Sequence, residues 1–425
     1  MTSPTLRPSR ILDPALEQQS PAAREAYLSE RIQVTVTHAS ASSAAFRRRL
    51  AEANLSAGDL RGPGDLARLP ALRKDTLPAL QADRPPFGEL LGVEVGQLAR
   101  VFMSPGPIYD PQGPGEDFWR FRHALAAAGF RAGELAHCAA SYHLTPLGFM
   151  LDAAARALGC VVIPAGVGQT ELQVKVAAHL GATAYLGTPS FLRVLLGKAR
   201  ELGTPLRFET AFVLAEMLPE SLRSELEGDF GVRVLQGYGT ADLGCLAYEC
   251  PEKGGWHLHP ECLVEVLDLE TGRAAAPGQP GEVVATLFDR AYPLVRFGTG
   301  DLAALAPEAP CPCGRTAPKL AGLLGRIGDA VKVKGMFVRG GELAAVMQRF
   351  PEVKRFQAIV TRELHQDHLA CDIELGAPTA DEAGLASRIA EAVREAVKVR
   401  SEVRFVPPGK LADGAKRIDD RRVWK

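Results

Sequence analysis

The chain lacks a charge excess, a long apolar run and any dense cysteine pattern, and each absence excludes a class of protein. Its 49 lysines and arginines stand against 50 aspartates and glutamates, a net charge of −1. Nucleic acids and membrane surfaces recruit proteins through a cationic excess, so neither is an expected partner. The longest apolar run, near Leu158–Val167, is too short to span a bilayer. Residues 1–10 (MTSPTLRPSR) lack the apolar core of a signal peptide, so the expected location is cytoplasmic. Eight cysteines in 425 residues do not make a disulfide scaffold. Internal repeats and long disordered tracts are also missing. What remains is a globular chain of two or three domains with ample material for buried cores.

Several prolines and serines in residues 1–20 predict a loosely packed arm, and the spacing of Phe46, Leu50 and Leu55 predicts a helix over Ser42–Leu55. The proline-rich stretch between Thr76 and Gly92 reads as a surface loop. From Trp119 to Leu235 short β-branched runs alternate with helical spacing. Strands are expected at Leu135–Ala140, Val161–Pro164, Ala184–Leu186, Phe212–Leu214 and Val232–Leu235. Helices are expected at Trp119–Ala128, Leu147–Leu158, Leu172–Leu180, Ser190–Leu202 and Glu220–Glu227. Such alternation implies an α/β fold with mostly parallel sheets covered on both faces.

After about Gly255 the pattern changes to antiparallel strands at 263–268, 282–288 and 294–305, joined by turns such as APGQPG. A third section begins near Gly325. It reads as a hairpin (VKVKG–MFVR), a helix at Glu342–Phe350, strands at Phe356–Thr361 and Leu369–Leu375, an amphipathic helix at Ala380–Lys398 and a last strand at Val403–Val406. The expected organisation is a large layered domain over 1–325, with an antiparallel β section, and a small α+β domain over 326–425.

Three segments carry a resemblance. They are QGYGTADLG at Gln236–Gly244, YPLVRFGTGDLAAL with Arg296 and Asp301, and GRIGDAVKVKG at Gly325–Gly335. In this order they resemble the nucleotide-site segments of adenylate-forming enzymes. PPFG at Pro85–Gly88, GQTELQ at Gly168–Gln173, TPSF at Thr188–Phe191, YEC–GWHLHPE and CPCGR at Cys311–Arg315 point to the phenylacetate-CoA ligase family. The likeness runs from about residue 80 to the C-terminus, and it is specific as a set; any one motif alone is weak.

The resemblance implies roles. Tyr238 would lie against adenine as a flat wall with a polar tip. Gly239 would let the backbone approach the nucleotide, beside Thr240. Asp242 stands where the family places a glutamate that helps hold Mg²⁺, a hard ion suited to carboxylate oxygen. Ala215 and Glu216 match positions near the adenine. Asp301 would accept from both ribose hydroxyls, and Arg326 would approach the ribose or phosphate after closure about a hinge at Asp329. Tyr142, His143 and Gly148 fall in a segment that lines the acyl site.

Two segments depart from the family. Its phosphate loop is rich in serine, threonine and glycine, so that hydroxyls and N–H groups wrap the triphosphate. Here the matching segment is MSPGPIYDP, Met103–Pro111: Ser104 and Gly106 survive, but Pro105 and Pro107 each remove a donor. This loop would hold the outer phosphates poorly and would serve instead as a rigid wall of the acyl pocket. At the C-terminus the family presents a Gly-Lys-Ala-x-Arg-Val segment whose lysine bridges the carboxylate and α-phosphate. This chain reads KLADGAKRIDDRR, which puts Gly414 where the lysine belongs, with Lys416 two residues on and Lys410 as an outside candidate.

Cys138, Cys160 and Cys371 sit in apolar segments and read as small core residues. Cys311-Pro-Cys313-Gly is a tight turn presenting two thiols to one point. With Cys250 and His257 they would make a Cys₃His set for structural Zn²⁺, as in some members of the family. His259, two residues from His257, is the rival fourth ligand; reduced thiols without metal are the alternative.

The expected activity is ATP-dependent ligation of an aromatic or other organic acid to coenzyme A through an acyl-adenylate. The cofactors would be ATP/AMP, Mg²⁺, coenzyme A and Zn²⁺. Two other readings stay open: a member that has lost adenylation and acts as an accessory protein, and an adenylating enzyme with an amine or carrier-protein acceptor. A homodimer is compatible with either, and the sequence does not identify the acid.

Overall fold

The computed structural model describes residues 9–104, 107–327, 330–333, 336–363, 366–412 and 414–422. It falls into two compact units, Met1–Thr299 with Ala304–Gly322, and Gly300–Ala303 with Leu323–Lys425.

The large unit opens on helices that the sequence pattern understated. Ser20 caps Pro21–Ser42, its hydroxyl accepting from Ala23 N, and the leading proline has no donor to waste there. Leu28, Ile32, Val36 and Ala39 form one stripe, buried with Leu60, Leu66 and Leu69. Ser43 then caps Ala44–Glu52 by accepting from Phe46 N. Residues 9–20, the described part of the N-terminal arm, are not loose. Arg10 N donates to Ala126 O, and the short helix Pro14–Glu17 buries Glu17. The stretch read as a surface loop contains the helix Leu77–Asp83, whose proline lies in the first turn where it is tolerated, and Phe87 and Leu90 are buried.

Three early strands flank the future site: β1 (Leu72–Arg73), β2 (Arg100–Ser104) and β3 (Ile108–Gln112), the last two forming an antiparallel ribbon. Five parallel strands follow: β4 (Leu135–Cys138), β5 (Val161–Pro164), β6 (Ala184–Gly187), β7 (Thr210–Val213) and β8 (Arg233–Thr240). The helices Leu147–Ala157, Thr170–Leu180, Pro189–Glu201 and Glu220–Gly228 connect them. Successive strand residues enter different cores. Leu186, Phe212 and Leu235 pack with Phe121 and Phe130, whereas Tyr185, Ala211 and Val234 pack with Leu192 and Phe208. Alternation of this kind covers both faces, as expected for a parallel sheet.

β8 then pairs antiparallel with β9 (Gly244–Glu249), and the chain continues through β10 (Trp256–Leu258), β11 (Cys262–Leu267), β12 (Gly281–Leu287), β13 (Phe297–Leu305) and β14 (Lys319–Arg326). The parallel and antiparallel sections join in one twelve-stranded sheet, ordered β11-β12-β13-β14-β10-β9-β8-β7-β6-β4-β5, with β1 parallel to β13.

In the small unit β15 (Ala330–Val333) and β16 (Met336–Arg339) form a hairpin that leads into the helix Gly340–Met347. A four-stranded sheet holds β17 (Val353–Glu363), β18 (Gln366–Leu375), β19 (Ser401–Phe405) and β20 (Ile418–Asp420) in the order β19-β18-β17-β20. The helix Glu382–Val397 buries Leu385, Ile389, Ala392 and Val393, the face expected from its spacing. β20 has no counterpart in the sequence reading. It is three residues long and finds its place by pairing Ile418 with Ala358.

Candidate functional site

The end of β8 carries the first candidate residues. Tyr238 is buried, and its hydroxyl donates to Thr299 Oγ1 at 3.2 Å. Thr240 Oγ1 accepts from Leu243 N, closing the turn into β9. A Cβ on Gly239 would lie 2.3 Å from the Gly244 carbonyl oxygen and 3.0 Å from Phe121. Close packing between β8 and β9 therefore requires that glycine, whatever binds outside.

Asp242 is buried and does not stand alone. Lys74 Nζ, on the 3₁₀ turn Lys74–Thr76 directly after β1, donates to Asp242 Oδ2 at 2.5 Å. Asp242 Oδ1 is buried and meets no hydrogen-bond partner among the described residues. Asp110 on β3 is buried in the same neighbourhood. Burial, and then the charge of Asp242, push its carboxyl up to about 8. Sequence reasoning singled out neither Lys74 nor Asp110. The Lys74–Asp242 contact spans 168 residues, and no local pattern announces it.

The segment Met103–Pro111 contributes to the β2–β3 ribbon, and the buried Ser104 Oγ has the Asp110 carboxyl as its polar neighbour. Met103 N donates to Leu144 O, tying the ribbon to the segment of Tyr142 and His143. Phe102 packs on Phe149 and Trp119, and Tyr142 meets Phe149 edge-on at 5.2 Å. A Cβ on Gly148 would fall 2.7 Å from Ser141 O and 2.8 Å from the Tyr142 ring, so only glycine lets these pieces close up. His143 is exposed. Ala215 has φ 69, a left-handed conformation that alanine adopts at a cost of roughly 1–2 kcal/mol, and strain of this kind gathers where ligands are held. The neighbouring Glu216 is exposed and accepts from Ser190 N at 3.4 Å. Arg296 is buried and structural, donating to Ala67 and Leu69 carbonyls and pairing with Glu265.

In the small unit Arg326 Nε lies 3.2 Å from Asp301 Oδ1. Two residues expected to share the nucleotide's ribose are thus already paired. Lys416 and Lys410 are exposed, and Gly414 has φ 77. The Lys416 carbonyl accepts from Gln357 Nε2, which fixes the backbone and leaves the side chain outward. Gly106 and Asp329, expected at the phosphate loop and the hinge, lie outside the described residues.

The cysteine cluster is assembled by the β9–β10 hairpin and the turn before β14. Cys250 follows β9 directly, His257 lies in β10, and Gly314 N donates to Cys311 O to close the Cys311–Gly314 turn. One ligand atom from each of Cys250, His257, Cys311 and Cys313 lies within 4.8 Å of the other three. Cys250 Sγ is 3.7 Å from Cys311 Sγ, and Cys313 Sγ is 3.4 Å from His257 Nε2. Cys250 and Cys313 share one hydrogen bond, which pushes the Cys250 thiol up and holds the Cys313 thiol down, so without a metal the two thiols share a proton. His257 Nδ1 lies 3.2 Å from Ala317 O, an outer contact that orients the ring. Three thiols and an imidazole at these separations fit a borderline-soft tetrahedral ion. His259 is not the fourth member. Its Nε2 donates to Arg120 O at 2.9 Å and its Nδ1 accepts from Glu261 N, so both ring nitrogens are occupied.

Comparison with known proteins is consistent across the chain. Residues 120–286 match the AMP-binding enzyme family, and residues 340–422 match the AMP-binding enzyme C-terminal domain. The phenylacetate-coenzyme A ligase of Thermus thermophilus is 33% identical over 397 residues, covering 86% of this chain and 88% of that protein. The Escherichia coli phenylacetate-coenzyme A ligase is 28% identical over 385 residues, covering 86% and 85%. Among solved structures, an open conformation of 2-hydroxyisobutyryl-CoA ligase in complex with 2-HIB-AMP and CoA has a TM-score of 0.82. It is 24% identical and covers 95% of this chain and 93% of its own, a likeness of fold.

Proposed function

The chain belongs to the phenylacetate-CoA ligase family of adenylate-forming enzymes and is an ATP-dependent, AMP-forming acid–CoA ligase, and from that premise we propose that its acid is a flat aromatic one. The observation that carries the choice of acid is the group of Phe102, Tyr142 and Phe149 closed over Gly148. Phe102, Tyr142 and Phe149 pack on one another as an aromatic wall, one pair tilted and one edge-on. A wall of ring faces and edges favours a planar side chain over a branched one.

In this reading the acid's carboxylate oxygen bonds to the α-phosphorus as the bond to pyrophosphate breaks. The thiolate of coenzyme A then bonds to the acyl carbon, and AMP leaves. Tyr238, with Gly239 and Thr240 behind it, walls the adenine, and Ala215 and Glu216 border it. Asp301 takes the ribose hydroxyls, with Arg326 alongside. Lys416 brings a cation to the carboxylate–phosphate junction, where charge develops. Ser104 remains of the phosphate loop, and Gly106 is assigned with it. Tyr142, His143 and Gly148 border the acyl group. Asp242 would hold Mg²⁺, which when bound neutralises phosphate charge; its buried, unpartnered Oδ1 is the vacant oxygen such an ion needs. Cys250, His257, Cys311 and Cys313 would hold a structural Zn²⁺, which ties three chain segments together. Residues 326–425 would turn about Asp329 between the two half-reactions.

Pyrophosphate release measured over a panel of aryl, arylacetic and short-chain acids, with and without coenzyme A, tests the proposal. Release with aryl acids at least tenfold above aliphatic ones, about 1.4 kcal/mol of discrimination, is expected. Equal turnover of branched aliphatic acids would overturn the aromatic assignment.

A further inference from the structure

Near the end of β8 one ammonium group serves two buried carboxyls. The Asp242 side chain is fully buried, while Lys74 keeps 17% of its side-chain surface. Asp242 Oδ1, both oxygens of Asp110 and Ser104 Oγ are buried and make no hydrogen bond of ordinary length and angle among the described residues, having only one another as near polar neighbours. The buried Tyr292 hydroxyl faces Gln81. Asp242 and Asp110 both act electrostatically on Tyr292, and Ser104 acts on Asp110, so these groups share one neighbourhood. Buried polar atoms are nearly always partnered, and several orphaned oxygens together mark a place built for something else. An all-oxygen set with two carboxyls suits a hard cation.

Lys74 stands against that cation. Its backbone is fixed, because β1 pairs in parallel with β13, Leu72 opposite Phe297. Its flexible four-carbon stem carries a compact charge to Asp242 Oδ2. A bare divalent ion reaching Asp242 Oδ1 would sit close to this ammonium and be repelled. A divalent ion already carried by a polyphosphate arrives with net negative charge, which the same ammonium attracts.

We propose that Lys74 is a positioning residue that holds Asp242 by one oxygen and keeps the nucleotide-free site from taking a divalent cation, so that the metal enters only with the nucleotide's phosphates. The proposal rests on the reading of Asp242 as the Mg²⁺ carboxylate. It assigns Lys74 a role in the order of binding rather than in the chemistry.

Mn²⁺ titration of nucleotide-free protein, followed by electron paramagnetic resonance, tests it on wild type, Lys74→Met, Lys74→Gln and Lys74→Arg. Removing the ammonium should tighten Mn²⁺ binding by about tenfold or more in Lys74→Met and Lys74→Gln, whereas Lys74→Arg should stay weak like wild type. In turnover, Lys74→Gln should raise KM for the metal–ATP complex more than it lowers kcat. Lys74→Gln keeps a donor for Asp242 and serves if the methionine variant does not fold. Mn²⁺ affinity unchanged in a folded Lys74→Gln overturns the proposal. Asp242→Asn separates the two layers. If it leaves the metal dependence of pyrophosphate release unchanged, the reading of Asp242 fails and the proposal falls with it. If it abolishes that dependence while the Lys74 variants bind Mn²⁺ like wild type, only the role of Lys74 fails.

Discussion

Arg315 donates from Nε to Glu17 Oε2 at 2.6 Å, and both side chains are almost completely buried. The pair joins the Cys311–Arg315 turn to the N-terminal arm. Arg315 also donates to Ser9 Oγ, and Glu17 accepts from Tyr248 Oη and from the backbone of Leu12 and Asp13. Breaking a buried pair leaves the other charge uncompensated. Arg315→Ala should therefore cost about 3–5 kcal/mol, read as a lowered urea midpoint. Limited proteolysis should then cut within residues 9–20 of the variant before it cuts the wild type. Resistance of the arm in a folded variant would contradict the clamp.

Metal analysis of protein prepared without chelator should find about one zinc per chain. Cys311→Ser should lose it and lower the melting temperature, because ligation is coupled to local folding. His259→Gln should keep the metal, since both His259 nitrogens are engaged by backbone groups. Metal lost from that variant while it stays folded would reopen the choice of fourth ligand.

Lys416→Ala should lower the rate of acyl-adenylate formation by on the order of a hundredfold, with binding of ATP and acid little changed, as for loss of one transition-state stabiliser. Thioester formation from supplied acyl-adenylate should be largely spared. Lys410→Ala is the matched control and should change little. Normal turnover by Lys416→Ala would remove that lysine from the reaction.

Burial holds the Asp117 carboxyl above its ordinary range, at about 6, although it accepts from Phe121 N and Arg122 N at the start of a helix. The folded state thus binds this proton more tightly than the unfolded chain. Stability from this group is full below about pH 4 and is lost as the pH rises through 6. Asp117→Asn, which can still accept through its amide oxygen, should gain on wild type by on the order of 2 kcal/mol between pH 4.5 and 7. Urea midpoints at the two pH values measure this; parallel curves would show that Asp117 titrates normally.

The sequence by itself carried the alternation of strands and helices from Leu135 to Leu235. Those elements are built from local periods, and several end at a glycine or proline, as at Pro164, Gly181, Gly187 and Gly228. It also carried the family, through motifs whose residues are contiguous, and the convergence of Cys311 and Cys313, because a Cys-Pro-Cys-Gly turn needs little chain to converge. It left His257 and His259 both open as the fourth ligand. The helices Pro21–Ser42 and Leu77–Asp83 were missed for a shared reason. Proline reads as a breaker unless one knows that it occupies the first turn. β20 and the joining of parallel and antiparallel sections into one sheet were decided by pairing between distant strands, which no local period encodes. The same holds for the site. Tertiary structure turned His259 toward Arg120 and away from the cysteines, and it gave Gly239 a packing reason. It also placed Lys74 against Asp242. Charge pairs made across a fold depend on where strands deliver their ends, and sequence spacing is blind to that distance.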